Sequence, residues 1–206
     1  MDIKKLKELE KSFLLKFPGG FENEFFKDIE KKHKMEQMTG FVKENFAKKK
    51  FTDKKSILDN YIKLITRSSM VSVFEKAKFK DFGKGLSNPD GKELVESLEE
   101  FLYGTQKTGF ESLVHVLNKG KLAKWPIITC LPAYNKPDKE VFIKPTTAKG
   151  VIELLKIENL VYKPSPTWDF YDKYRKKINE MKKHVDKRLS PSNPAFSGFL
   201  MMSLPK

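Results

Sequence analysis

The chain has 206 residues, 39% of them hydrophobic and 12% aromatic, which excludes a disordered or fibrous chain and predicts a folded globule with a substantial core. Its formal charge is +14, and its single cysteine, Cys130, excludes an internal disulfide and a cysteine-cluster metal site. No run approaches the roughly 18 apolar residues of a membrane span. The N-terminus MDIKKLKELEKSFLLKF lacks the continuous apolar centre of a signal peptide, so a cytoplasmic protein without membrane insertion is expected.

The charge is uneven: +4 over residues 1–60, +1 over 61–120 and +9 over 121–206. A basic end of this kind favours an anionic partner, nucleic acid before a membrane surface. Only Arg67, Arg175 and Arg188 are arginines among the 41 cations. A lysine-rich surface positions phosphates better than it reads base edges. The same lysine excess would also follow from the coding bias of an AT-rich genome.

Ile3, Leu6, Leu9, Phe13, Leu14 and Phe17 recur at helical spacing until Pro18-Gly19-Gly20, which predicts a first helix of about four turns. Further helices are predicted on Phe25, Phe26 and Ile29, and on Met35, Met38, Val42 and Phe46. The run from Lys48 to Lys55 reads as a solvated connection, with Thr52 or Asp53 capping a helix on Ile57, Leu58, Tyr61, Ile62, Leu64 and Ile65. In SSMVSVFEKAKFKDFGKG, aromatics alternate with lysines, as in proteins that hold single-stranded nucleic acid. Phe74 and Phe82 also share a helical face, so burial of both is the expectation there.

Asn88-Pro89 reads as cap and first helical residue of a helix on Leu94, Leu98, Phe101 and Leu102; a second helix, on Phe110, Leu113, Val114 and Leu117, completes an antiparallel pair. From Gly120, prolines at 126, 132, 137 and 145 predict irregular structure, with a short strand at Val141 to Ile143. A helix from Thr146 or Thr147 follows. Thr167 to Arg188 is the clearest helix signal, with Trp168, Tyr171, Ile178, Met181 and Val185 on one face, and Ala195 to Leu204 closes the chain. The fold expected is therefore mainly α: one domain over 1–206, a helical bundle at 1–120 and a basic, proline-rich C-terminal lobe at 121–206 that holds a short β element.

His33, His115 and His184 are scattered, with no metal-ligand spacing, and no metal or cofactor is implied. Pro137-Asp138 with Glu140 and Lys144 approaches the PD-(D/E)xK nuclease pattern, but Phe142 stands where the lysine belongs. Phosphate loops, dinucleotide fingerprints and the nucleophile elbow are absent from the sequence. What remains is a candidate phosphate-binding surface. Lys144, Thr146, Thr147 and Lys149 stand at a helix start, Lys173, Arg175, Lys176 and Lys177 lie on the basic helix, and Trp125 and Trp168 are the flanking rings.

VFIKPTTAKGVIELL, Pro166-Thr167-Trp168-Asp169-Phe170-Tyr171 and NPAFSGFLMMSL resemble parts of an uncharacterised family of small basic bacterial proteins. The stretch from Lys124-Trp125-Pro126 through Lys144-Pro145 to the aromatic helix is similar to segments of McrB-type restriction and phage-defence proteins. The resemblance covers only the last third, carries no catalytic residue and implies nucleic-acid association; without a Walker motif, it does not extend to the motor part of such proteins. The expected function is thus non-specific, non-catalytic nucleic-acid association through the C-terminal lobe. The alternatives are a helical module that binds a protein partner or itself, and an enzyme with an unrecognised site.

Overall fold

In the computed structural model, which describes residues 1–205, eleven α-helices and four 3-10 turns enclose one core. In chain order the helices are α1 (Ile3–Lys16), α2 (Lys27–His33), α3 (Met35–Asn45), α4 (Lys54–Arg67), α5 (Val73–Gly85), α6 (Asn88–Tyr103), α7 (Gln106–Lys119), α8 (Trp125–Asn135), α9 (Pro145–Leu154), α10 (Trp168–Lys182) and α11 (Asn193–Met202). No strand occurs among the described residues, and no helix is long and apolar enough to cross a membrane.

Side chains that spare the first turn its unpaired amides mark several helix starts. Asp2 accepts from Lys5 N at 2.9 Å, Asp53 from Ser56 N at 3.0 Å, and Ser87, rather than the expected Asn88, from Asp90 N at 3.3 Å. Ser72 and Glu75 form a reciprocal capping box at α5. Gly40 lies inside α3 without breaking it. The lysine run at 48–50 is solvated as expected, but it coils into a 3-10 turn that buries Phe51.

The centre of the molecule is α8, in the segment expected to be irregular. Its residues from Trp125 to Tyr134 are all buried, and it packs on α3, α4 and α7. Pro126 sits in the first turn, where an amide is dispensable, whereas Pro132 is internal and removes the donor that would serve the Ile128 carbonyl. Beside that gap, Tyr61 O–H donates to Ile127 O at 3.0 Å. Thr129 Oγ1 donates to Trp125 O at 2.7 Å and accepts from Ile143 N at 3.0 Å. That second bond explains the missing strand: Val141 and Ile143 do point inward on either side of half-buried Phe142, but the segment's amide is satisfied by α8 instead of a neighbouring strand.

Two aromatic clusters flank this centre. Phe13 joins Phe17, Phe21, Phe26 and Phe199, which ties α1 to α11, while Phe110 contacts Trp125, Trp168 and Tyr171, which ties α7 to α8 and α10. Buried residues from Leu6 to Leu200 form one continuous cluster, so the two expected lobes share a core. Several apolar residues of the expected helix faces lie outside, Ile3 and Met201 among them. Phe74 is 84% exposed, Phe25 55% and Ile29 37%.

Candidate nucleic-acid interface

The basic helix α10 is capped by Thr167, whose Oγ1 accepts from Phe170 N at 3.4 Å, but it ends at Lys182, one turn before the predicted stripe runs out at Val185. Three of its lysines have a carboxylate within one turn, Lys173 and Lys176 from exposed positions and Lys177 from a half-buried one. Lys173 pairs with Asp169 at 2.8 Å, Lys176 with Asp172 at 2.6 Å and Lys177 with Glu180 at 2.8 Å. Those contacts hold the Glu180 carboxyl below its usual range, chiefly through Lys177, and lower that of Asp172 against its partial burial, through Lys176 and Arg175.

Arg175 faces inward. Its Nη1 donates to both Glu140 carboxylate oxygens at 2.9 and 2.8 Å and to Gln106 Oε1 at 2.8 Å, while Nη2 donates to Asp172 Oδ1 at 2.8 Å. Gln106 Nε2 returns a bond to Glu140 at 2.9 Å, and Tyr171 O–H donates to it at 2.7 Å. The guanidinium lies 5.6 Å from the Trp168 ring centre and 5.4 Å from that of Tyr171. Burial, with the Glu140 charge beside it, pushes the Tyr171 hydroxyl well above its ordinary pKa, so it remains a donor. Both terminal nitrogens of the Arg175 fork are committed, and the residue locks α10 to α7 and to the loop before α9. Arg175 is therefore corrected from a phosphate ligand to a structural staple. The pairing of Arg175 with Glu140, Gln106 and Asp172 is not read from the sequence; the signal for it is the rarity of arginine in a lysine-rich chain, because a planar fork is favoured where a buried carboxylate must be met bidentately.

The two tryptophans also serve the interior. Trp125 is 1% exposed and its Nε1 donates to Lys163 O at 2.8 Å, so it offers no stacking face; Trp168 is half-buried against Phe110 beneath Arg175. At the start of α9, Thr146 and Lys149 are exposed and Lys144 Nζ lies 3.7 Å from Met201 Sδ. Thr147 is buried, its hydroxyl without a partner and turned away from solvent, so it cannot reach a phosphate in front of the helix. Helix α9 packs on α11, whereas α10 packs on α7 and α11.

Cations outside the ion pairs are spread over much of the surface among the described residues, and two groups of them flank α8. The Trp125 to Lys163 bond brings Lys124 and Lys163 together near Lys121, at the start of α8. At the other end, Asn179 Nδ2 donates to Lys139 O at 2.9 Å, which sets Lys136 and Lys139 beside the end of α10 and Lys182 and Lys183. Burial lowers the Lys182 pKa, with Asp138 opposing. Helix α8 spans about 16 Å between these groups.

No group of three or more His, Cys, Asp or Glu residues with metal-holding geometry occurs among the described residues. Cys130 is fully buried and burial pushes its thiol up to about 12, so it is not an activated nucleophile. The fold and surface thus define an all-α chain with one core and a lysine-rich exterior. Comparisons with family models, curated proteins and solved structures find no match to this chain.

Proposed function

We propose that this protein associates with nucleic acid through the phosphate backbone, without base reading and without catalysis. The observation that supports this is a pair of lysine groups that flank α8, Lys121, Lys124 and Lys163 at one end and Lys136, Lys139 and Lys183 at the other, all exposed and none in an ion pair among the described residues. Lysines free of acids release counterions when they meet phosphates, whereas the paired lysines of α10 would first have to leave their carboxylates.

The test is duplex DNA binding followed by anisotropy over a series of salt concentrations. Lys136→Glu, Lys139→Glu and Lys183→Glu together should weaken binding and flatten the plot of log K against log salt by about 0.9 for each phosphate that is no longer neutralised. Lys173→Gln and Lys176→Gln should change it less. Unaltered affinity in the triple variant would remove the proposal.

A further inference from the structure

Helix α5 carries an aromatic and basic row that the surface described above does not use. Phe74, Lys78 and Phe82 are spaced by four residues, so they line up along one side of the helix over about 12 Å. Phe74 is 84% exposed, Lys78 is exposed and has no carboxylate partner among the described residues, and Phe82 is half-buried. The Phe82 ring packs on Gly120, where an added Cβ would come within 2.4 Å of it. The row therefore ends against the turn that holds Lys121, and from there the unpaired lysines continue to Lys124 and Lys163.

Local structure does not require an aromatic at position 74. The Ser72 and Glu75 capping box already satisfies the start of α5, and the helix is anchored by Phe79, which is fully buried against Tyr61 at a ring separation of 5.2 Å. Phe74 and the neighbouring Val73, 76% exposed, project from the first turn into solvent. With Lys76, Lys78, Lys80 and Lys84 on the same helix against Glu75 and Asp81, this apolar surface is only about two side chains wide and lies on a helix of net positive charge. A stable protein interface needs roughly 800 Å² per partner with a dry centre, which two side chains do not supply. An unpaired base offers what they do fit: a planar face for the ring and a phosphate within reach of the next lysine along the row.

We infer that the Phe74, Lys78 and Phe82 row is a base-stacking track that selects single-stranded nucleic acid. This rests on the nucleic-acid reading above and adds the strand preference, because in a duplex both faces of each base are already covered by its neighbours.

The experiment compares the intact chain and its variants on a labelled oligothymidylate and on a duplex of equal length. The wild type should bind the single strand at least several-fold more tightly. Phe74→Ala should weaken that binding about tenfold, the equivalent of ~1.4 kcal/mol, and leave duplex binding unchanged. Phe74→Trp should retain the affinity and show emission quenching by the oligonucleotide beyond that of the wild type. Lys78→Glu should lower the single-strand salt slope by about 0.7. Melting temperatures confirm that the variants are folded. Equal binding of both nucleic acids, or oligonucleotide binding indifferent to Phe74→Ala, overturns the track while leaving the proposed function standing. Binding to neither overturns both. A change in sedimentation of Phe74→Ala with oligonucleotide affinity intact assigns the surface to self-association and likewise overturns it.

Discussion

Arg175 illustrates how little a residue's charge says about its role until its partners are known. On the sequence it is one cation among several on a basic helix; in the fold it is the hub of a buried network with Glu140, Asp172, Gln106 and Tyr171. Its side chain is 15% exposed and that of Glu140 6%, so removing one partner leaves the other charged and desolvated. Arg175→Ala should therefore cost about 3–5 kcal/mol in urea unfolding, against under about 1 kcal/mol for Lys173→Ala, whose ion pair is in water. Comparable small losses in both variants would show that the network is not a staple.

At the scale of elements, the tightest joint is the α6 and α7 hairpin. An added Cβ at Gly109 would lie 2.1 Å from the Phe101 backbone nitrogen, a clash with main chain that no rotamer relieves. Gly109→Ala should destabilise by about 1–3 kcal/mol or more. Gly40, inside α3 with nothing within 4 Å of its would-be Cβ, should respond in the opposite sense, and Gly40→Ala should stabilise by up to about 1 kcal/mol through helix propensity alone. Thermal denaturation of the two variants checks both signs.

The legibility of the elements follows the same physics. Amphipathic helices with a polar cap, such as α1, α4 and α10, announce themselves by period. Helix α8 does not, because a helix buried on all sides has no polar face to set a period, and its prolines suggest a loop. The Val141 and Ile143 alternation does mark an inward-pointing extended stretch, but an alternating pattern carries no information about whether a second strand lies alongside. For the interface, sequence supplies the lysines and their excess; the carboxylates that neutralise α10 are in plain view at three- and four-residue spacing, whereas burial of Trp125 and exposure of Phe74 depend on neighbours distant in the chain.

On the scale of the whole molecule, the chain closes on itself through the 3-10 turn Lys187–Leu189, where Asp186 N donates to Glu10 Oε1 at 2.5 Å, linking residues 176 positions apart. Gly20, at φ +66, lets the chain pass against Arg188 there; a Cβ would sit 2.7 Å from the Arg188 carbonyl oxygen. The Asp186 carboxylate accepts from the Arg188 side chain and backbone, which, with Lys7 nearby, depress its pKa to about 2. A depressed carboxylate stabilises the fold fully above its unfolded pKa near 3.8, and that contribution disappears as pH falls through about 2. Acid unfolding should steepen over that window. Asp186→Asn should remove this part of the pH dependence; an unchanged acid profile would show that the clasp does not contribute.

The fully buried thiol of Cys130, midway along α8, also makes the chain its own stopwatch. Because it is the only cysteine, a thiol-reactive probe has one native target, and that target is reached when the helices around α8 part. The labelling half-time of the unmodified protein thus reports how often its centre opens, and a cysteine introduced on the surface can be labelled long before the native one responds.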